Sequence, residues 1–392
     1  MKLPFSKTEF ERRNATVRHR MADAGVDLLM VSDPGNIFWL TGIGDWSFYV
    51  PQFAIISAND PEPIWIGRAM DRYGARITAW MVPERVHSYP ESYIQRKGIH
   101  PSDFIGEFVA ARLSGAKRVG YESDSYYFSP RSLAALKAAL PDARFVDCDL
   151  LVNWARAVKS EAELAYMRQA AVVAGIAMTT AYDTIAPGVR QCDAAAAIVK
   201  AQIAPNAEFG GAPPATPPLI LAGERAATAH PIWTDDSFEK DQTVALELGG
   251  TVRHYCAGLA RTMHLGGTPP ARLSSTALAV EEGLEAVLKV FKAGITGARV
   301  HAAWNAVLSR HGLTKESRIG YAIGIGFPPD WGEHTISLRA GDDVPIEADT
   351  TLHIMLGMWM DGWGMELSET VRVTSSGAEC LTNFPRKLFH KT

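Results

Sequence analysis

The chain has 392 residues, of which 47% are hydrophobic and 21% are charged. This balance is typical of a folded globular protein and excludes disorder over most of the chain, and the length favours about two domains. The 39 basic and 43 acidic side chains give a formal net charge of −4, which lacks the positive surplus needed to bind a nucleic acid backbone.

The N-terminal twenty residues are polar and charged, so we expect no signal peptide. The sequence contains no run of 18 apolar residues, so we expect no membrane span. Single cysteines without CxxC spacing argue against a disulfide framework and a zinc knuckle. They favour a reducing, cytoplasmic location; the four are Cys148, Cys192, Cys256 and Cys380.

Residues 1–158 alternate short apolar runs with helical patterns, which predicts a smaller α/β domain. A helix is expected over residues 10–24, and Ser129 with Pro130 predicts the start of a second one that reaches residue 140. The predicted strands cover residues 26–32, 53–58, 118–123 and 143–147.

Residues 159–392 form the second predicted domain, and its fold class is α+β. Ser160 and Glu163 have the spacing of a capping box, which predicts a helix of about 25 residues before Pro187. The proline-rich segment 204–218 is expected to border the site. The other predicted elements are strands at 244–250, 258–266, 351–360 and 364–374 and helices at 275–293 and 300–311.

Several ordered motifs of the second domain resemble the creatinase/prolidase family. They are LAGERAATAH at 221–230, ALELGG at 245–250, GLART at 258–262, GYAIGIG at 320–326, HIMLG at 353–357 and ELSETVRVT at 366–374. The resemblance implies a C-terminal pita-bread (creatinase/aminopeptidase-like) domain, preceded by an α/β domain of the creatinase N-terminal type.

Metal-dependent members of this family bind two metal ions through two aspartates, one histidine and two glutamates. The corresponding positions here are Glu247, Gly258, Tyr321, Met355 and Ser368. Only Glu247 could bind a hard divalent ion as a carboxylate, so we expect no metal and no other cofactor. Without an activated water and a Lewis acid, peptide-bond hydrolysis is disfavoured.

Creatinase is a metal-free member of the family, but two of its acidic residues correspond to Ala260 and Met355 here. The segments at 246–262, 320–333 and 365–370 resemble the ectoine hydrolases of the family more closely. That resemblance implies that Glu247 acts as a nucleophile.

Ectoine is a cyclic amidine whose carbon is already electrophilic, because two nitrogens share a positive charge. Glu247 can attack that carbon or deprotonate a water that does, and His230 can carry a proton to the leaving nitrogen. Ring opening by water would give an N-acetyl-diaminobutyrate. Which ring bond breaks and whether hydroxyectoine is accepted both stay open.

Strand alternation extends the predicted pocket. If positions 355 and 368 face the cavity, then His353 and Glu366 do so too, while Glu369 points away. Aromatic side chains could cover the face of the cation. The predicted substrate-binding residues are Tyr255, Tyr321, His353, Glu366, Trp46 and Trp331.

Family dimers suggest that the loop 44–49, which carries Trp46, reaches the site of the partner in a homodimer. Two other functions remain open. A creatinase-like amidinohydrolase would act on a guanidino acid, and a catalytically inactive pita-bread protein would only bind a ligand or partner.

Overall fold

A computed structural model of the chain describes residues 3–113 and 115–392. The chain divides into two compact units, Met1–Arg156 and Ala157–Thr392, and the predicted boundary lies between residues 158 and 159. None of the helices in the described ranges has the length and hydropathy needed to span a bilayer.

In the first unit, six described strands form one sheet. The strands are β1 (Leu28–Val31), β2 (Phe53–Ser57), β3 (Ile64–Arg68), β4 (Val86–Tyr89), β5 (Arg118–Tyr121) and β6 (Arg144–Asp147). Their order is β4-β3-β2-β1-β5-β6, and β2 runs antiparallel to both of its neighbours while the other pairs are parallel. The helices are α1 (Lys7–Asp23), α2 (Pro34–Thr41), α3 (Arg72–Thr78), α4 (Pro101–Arg112), α5 (Pro130–Ala139) and α6 (Leu151–Ala155).

The predicted helices and strands of this unit are confirmed where local signals are strong. The side chain of Ser129 accepts a hydrogen bond from the N–H of Ser132, and Pro130 occupies the first turn of α5. Leu28, Met30 and Val119 pack in the core of the sheet, as their apolar runs predict.

In the fully described second unit, four helices accompany a nine-stranded sheet and a two-stranded hairpin. The helices are α7 (Glu161–Thr184), α8 (Gln191–Ile203), α9 (Ala271–Val290) and α10 (Gly297–Arg310). The strands are β7 (Leu219–Ala222), β8 (Thr243–Val252), β9 (Tyr255–Leu265), β10 (Gly320–Phe327), β11 (Asp330–Ser337), β12 (Thr351–Met355), β13 (Met358–Met360), β14 (Trp363–Met365), β15 (Ser368–Val373), β16 (Ala378–Cys380) and β17 (Phe389–Lys391).

The large sheet has the order β16-β15-β12-β10-β9-β8-β7, with β11 paired to β10 and β17 paired to β9. Helix α7 begins with the predicted capping box: Ser160 Oγ accepts from the N–H of Glu163, and the Glu163 carboxylate accepts from the N–H of Ser160. The mixture of helices and antiparallel strands confirms the α+β class of the second unit.

One face of the sheet is covered by α7 and α8. Leu246 and Leu248 of β8 belong to the same buried cluster as Ala174 and Met178 of α7. Helix and strand approach so closely that a Cβ on Gly250 would lie 1.9 Å from the carbonyl oxygen of Ala170. Because strand side chains alternate, the residues between these leucines point to the opposite face, on which the site is built.

Two predicted strands are each interrupted. The pattern at 351–360 divides into β12 and β13 around Gly357, because residues 358–360 pair with residues 363–365 as a separate hairpin. The pattern at 364–374 divides into β14 and β15, and Glu366 lies in the connection between them. These breaks place Trp359 of β13 beside Glu366.

A buried ion pair holds β9 and β15 together behind the site. Arg261 Nη2 lies 2.5 Å from Glu369 Oε1, and both side chains are 1% exposed. Arg261 also donates to the carbonyl oxygen of Ser368 at 2.6 Å, while Thr382 and Arg386 donate to Glu369. Glu369 therefore points away from Glu366, as strand alternation predicts.

Replacing Glu369 with alanine should lower the free energy of unfolding by about 3–5 kcal/mol, because the Arg261 guanidinium would stay buried without its anionic partner. Denaturant unfolding of the full chain measures this change. The matched control is Glu282→Ala, which removes an exposed ion pair with Arg310 and should cost far less, because solvent screens that pair. Equal losses in the two variants would contradict the role of the buried pair.

Candidate active site

Glu247 is a buried carboxylate in the middle of β8, and the residue is 6% exposed. No N–H or O–H group of the described chain donates a hydrogen bond to it, and Nδ1 of His353 lies 3.8 Å from Oε1. Burial, and then the negative charge of Asp330, raise the pKa of Glu247 to about 7. A buried carboxylate without hydrogen-bond donors is suited to bind a cationic ligand that carries its own N–H groups.

A chain of hydrogen bonds passes through His353, which is fully buried on β12. Its Nε2 lies 2.7 Å from Ser368 Oγ, and its Nδ1 lies 3.1 Å from the Tyr321 hydroxyl. Both partners are held in turn, since Ser368 Oγ accepts from the N–H of Ala260 at 2.6 Å and the Tyr321 oxygen accepts from Trp331 Nε1 at 2.8 Å. The strand register brings these residues to one face of the sheet.

The imidazole of His353 is neutral. Burial, and then the positive charge of Arg318, lower the pKa of His353 to about 3. The 3.8 Å contact with Glu247 is therefore a polar contact and not an ion pair. A neutral ring donates through one nitrogen and accepts through the other, so His353 connects Ser368 to Tyr321 without adding a positive charge.

The residues present do not fit a pair of divalent ions. The five positions that hold metals in the family are Glu247, Gly258, Tyr321, Met355 and Ser368. The His353 ring fills the space beside Gly258, where a Cβ would lie 2.8–3.1 Å from three ring atoms. Met355 offers a soft thioether, and the Ser368 hydroxyl is already bonded to His353. In residues 3–113 and 115–392, no group of three or more His, Cys, Asp and Glu side chains could hold a metal ion.

Glu366 is fully buried, and its Oε1 accepts a hydrogen bond from Trp359 Nε1 at 3.0 Å. Burial, and then the charge of Glu247, raise its pKa well above the usual range. Lys315 lies 4.2 Å from the centre of the Trp359 ring. Glu366 and Glu247 therefore interact electrostatically within the same site.

His230 is not among the residues that the structure brings together. It is exposed, and it lies in the loop between the turn Gly223–Ala227 and β8. Its role as a proton carrier therefore stays a prediction from the motif.

Tyr255 is a predicted substrate-binding residue that the structure places away from Tyr321, His353 and Glu366. It lies on the face of β9 that packs against α7, where its hydroxyl donates to Glu163 Oε1 at 2.8 Å and its ring stacks on Tyr166. The reason is strand alternation, because Tyr255 is an odd number of residues from Gly258 and Ala260. Its contact with substrate stays a prediction.

The remaining predicted aromatic residues lie in different units. Trp331 of β11 is 3% exposed, donates to Tyr321 and meets His353 edge to face at 5.8 Å. Trp46 lies in the first unit between α2 and β2, is 58% exposed and contacts Phe48. Its contact with substrate stays a prediction.

Three side chains near the site were not predicted: Trp359, Lys315 and Asp330. Trp359 lies in the hairpin that divides the predicted strand, so alternation could not assign it a face. Lys315 and Asp330 lie in or beside loops that have no periodic pattern. The one sequence signal was their position next to the recognised motifs at 320–326 and 353–357.

Comparison with known proteins agrees with this architecture. The model of metallopeptidase family M24 matches residues 165–375, and that of the creatinase/prolidase N-terminal domain matches residues 13–158. The chain is 39% identical over 396 residues to the ectoine hydrolase of Halomonas elongata, with 99% of each protein covered. It is also 39% identical over 389 residues to an uncharacterized hydrolase/peptidase of Sinorhizobium fredii, again with 99% of each covered.

Among solved structures, the prolidase from Pyrococcus horikoshii matches with a TM-score of 0.80 and 19% identity, covering 96% of this chain and 99% of that one. That likeness shows the fold, while the family models and the two relatives show the family. The chain therefore belongs to the creatinase/prolidase hydrolases of metallopeptidase family M24.

Proposed function

We propose that this protein hydrolyses the cyclic amidine ring of ectoine without a metal ion and releases an N-acetyl-diaminobutyrate. The observation that carries the proposal is Glu247, a buried carboxylate without a hydrogen-bond donor in the described chain. An amidinium ligand supplies the positive charge and the N–H groups that this carboxylate lacks. The similarity to the Halomonas elongata ectoine hydrolase along the whole chain supports the choice of substrate.

Glu247 has two possible roles in this reaction. It attacks the amidinium carbon directly, or it takes a proton from the water that attacks. Because the substrate carbon is polarised by its own charge, neither route requires a Lewis acid. The neutral state of His353 supports binding of a cation, since the ring beside Glu247 adds no positive charge. His230 is proposed as a proton carrier on the strength of its motif.

We also propose a cytoplasmic homodimer in which the loop around Trp46 contributes to the site of the partner. The exposed aromatic side chains of Trp46 and Tyr49 support a contact of this kind. The four free cysteines suit a reducing compartment.

Purified protein treated with EDTA should open ectoine at the same rate as untreated protein, and Glu247→Gln should reduce kcat by a factor of about 10² to 10⁴ or more. Loss of the ring signal in proton NMR measures turnover. The matched control is Glu239→Gln, an exposed glutamate in the loop before β8, which should keep full activity. Activity that requires added manganese or zinc would reject the metal-free proposal, and urea released from creatine would favour an amidinohydrolase.

The pH dependence of kcat/KM should show a rising limb near pH 7, because the reaction needs the ionised form of Glu247. Asp330→Asn should move this limb to lower pH, because the charge of Asp330 raises the pKa of Glu247 and its removal lets that pKa fall. Initial rates from about pH 5 to 9 on wild type and variant measure the shift. An unchanged limb would mean that another group controls ionisation.

A further inference from the structure

One carboxyl oxygen of Glu366 accepts a hydrogen bond and the other does not. Its Oε1 accepts from Trp359 Nε1 at 3.0 Å, whereas Oε2 is buried without a hydrogen-bond partner in the described chain. The backbone of Glu366 is fixed on both sides by Thr262, whose hydroxyl accepts from its N–H at 2.8 Å and donates to its C=O at 3.0 Å. A rigidly held carboxyl group whose buried oxygen lacks a hydrogen-bond partner points to a ligand group that supplies this partner.

Two charged groups face this acid: Glu247 of β8 and Lys315, which lies between α10 and β10. Burial and the charge of Glu247 raise the pKa of Glu366, and these effects exceed the lowering by the Trp359 hydrogen bond and by Lys315. Burial and the neighbouring carboxylate therefore favour the protonated form of Glu366. Two carboxyl groups whose pKa values are pushed apart can act as a base and an acid in one reaction.

We propose that Glu366 is a catalytic acid that gives its proton to the ring nitrogen released during amidine hydrolysis. Trp359 and Lys315 are positioning residues that hold its other oxygen in place. The inference rests on the proposed function and changes the role of Glu366 from an anionic substrate contact to a neutral proton donor.

The proton balance is the same whether Glu247 attacks directly or activates water. When the bond between the amidine carbon and one ring nitrogen breaks, its electron pair stays on nitrogen, which takes the proton of Glu366. The Glu366 carboxylate then regains a proton from the water that supplies the new carbonyl oxygen. The second proton of that water also reaches the released amine, which leaves as an ammonium group.

The Trp359 ring is held in place by its own hairpin and by Lys315. A Cβ on Gly357 would lie 2.5 Å from the Trp359 ring, so the turn before β13 requires glycine for the ring to pack there. On the other side, the Lys315 ammonium lies 4.2 Å from the ring centre and donates to the carbonyl oxygen of Gly357. The indole N–H is thereby held toward Glu366 Oε1.

Glu366→Gln tests the proton donor, since glutamine keeps the shape and the bond from Trp359 but has no acidic proton. We expect kcat with ectoine to fall by a factor of about 10² to 10⁴, while the Kd for ectoine measured by calorimetry stays unchanged. The control Glu316→Gln, at an exposed glutamate beside Lys315, should leave both values unchanged. A large rise in Kd would instead mean an anionic contact and would overturn the proposal.

Trp359→Phe tests the positioning role and serves if Glu366→Gln does not fold, which thermal unfolding would reveal. Loss of the indole N–H raises the pKa of Glu366 further, so the falling limb of kcat against pH should move to higher pH. A purely structural role of Trp359 would not move that limb, and an unchanged limb would overturn the proposal.

The two proposals fail in different ways. Wild-type protein that does not open ectoine would reject the proposed function itself. Wild-type turnover together with full activity of Glu366→Gln would leave that function standing and overturn only the role of Glu366.

Discussion

Burying the Glu247 carboxylate costs free energy, because no hydrogen-bond donor of the described chain replaces the water that the ion loses. The surrounding sheet is built to hold this unfavourable group in place. β8 pairs with β9 along ten successive residue pairs and with β7 on its other side, and α7 packs directly on Gly250. The strand therefore holds Glu247 in the site, and in the proposed function a cationic ligand compensates its charge.

Burial favours the uncharged forms of three groups around Glu247, which are His353, Glu366 and Tyr321. Burial lowers the pKa of His353 to about 3, and burial together with the charge of Glu247 raises the pKa of Glu366 well above the usual range. Tyr321 likewise stays protonated, since burial and then Glu247 raise the pKa of its hydroxyl well above the usual range. Hydrogen-bonding groups without charge beside a buried carboxylate suit a cation such as the amidinium of the proposed function.

Much of this arrangement could be predicted from the sequence, because its signals were local. A lone glutamate between Leu246 and Leu248 marks an unusual charge inside a strand, and alternation correctly groups His353 with Ser368. Alternation also places Tyr255, which is three residues from Gly258, on the opposite face of the sheet. Trp359 could not be predicted because its partner Glu366 lies across a break between strands, where neither a period of two nor a helical period applies. His230 and Trp46 lie in loops, so only the motif and the family resemblance pointed to them.

The contact between Gly258 and His353 limits how this fold can change. A Cβ at position 258 would come within 2.8 Å of the imidazole, closer than packed atoms allow. Replacing Gly258 with aspartate would therefore displace the ring from its hydrogen bonds to Tyr321 and Ser368. A carboxylate at position 258 would thus require coordinated replacements around the ring, because the packing of His353 leaves no room for a side chain there.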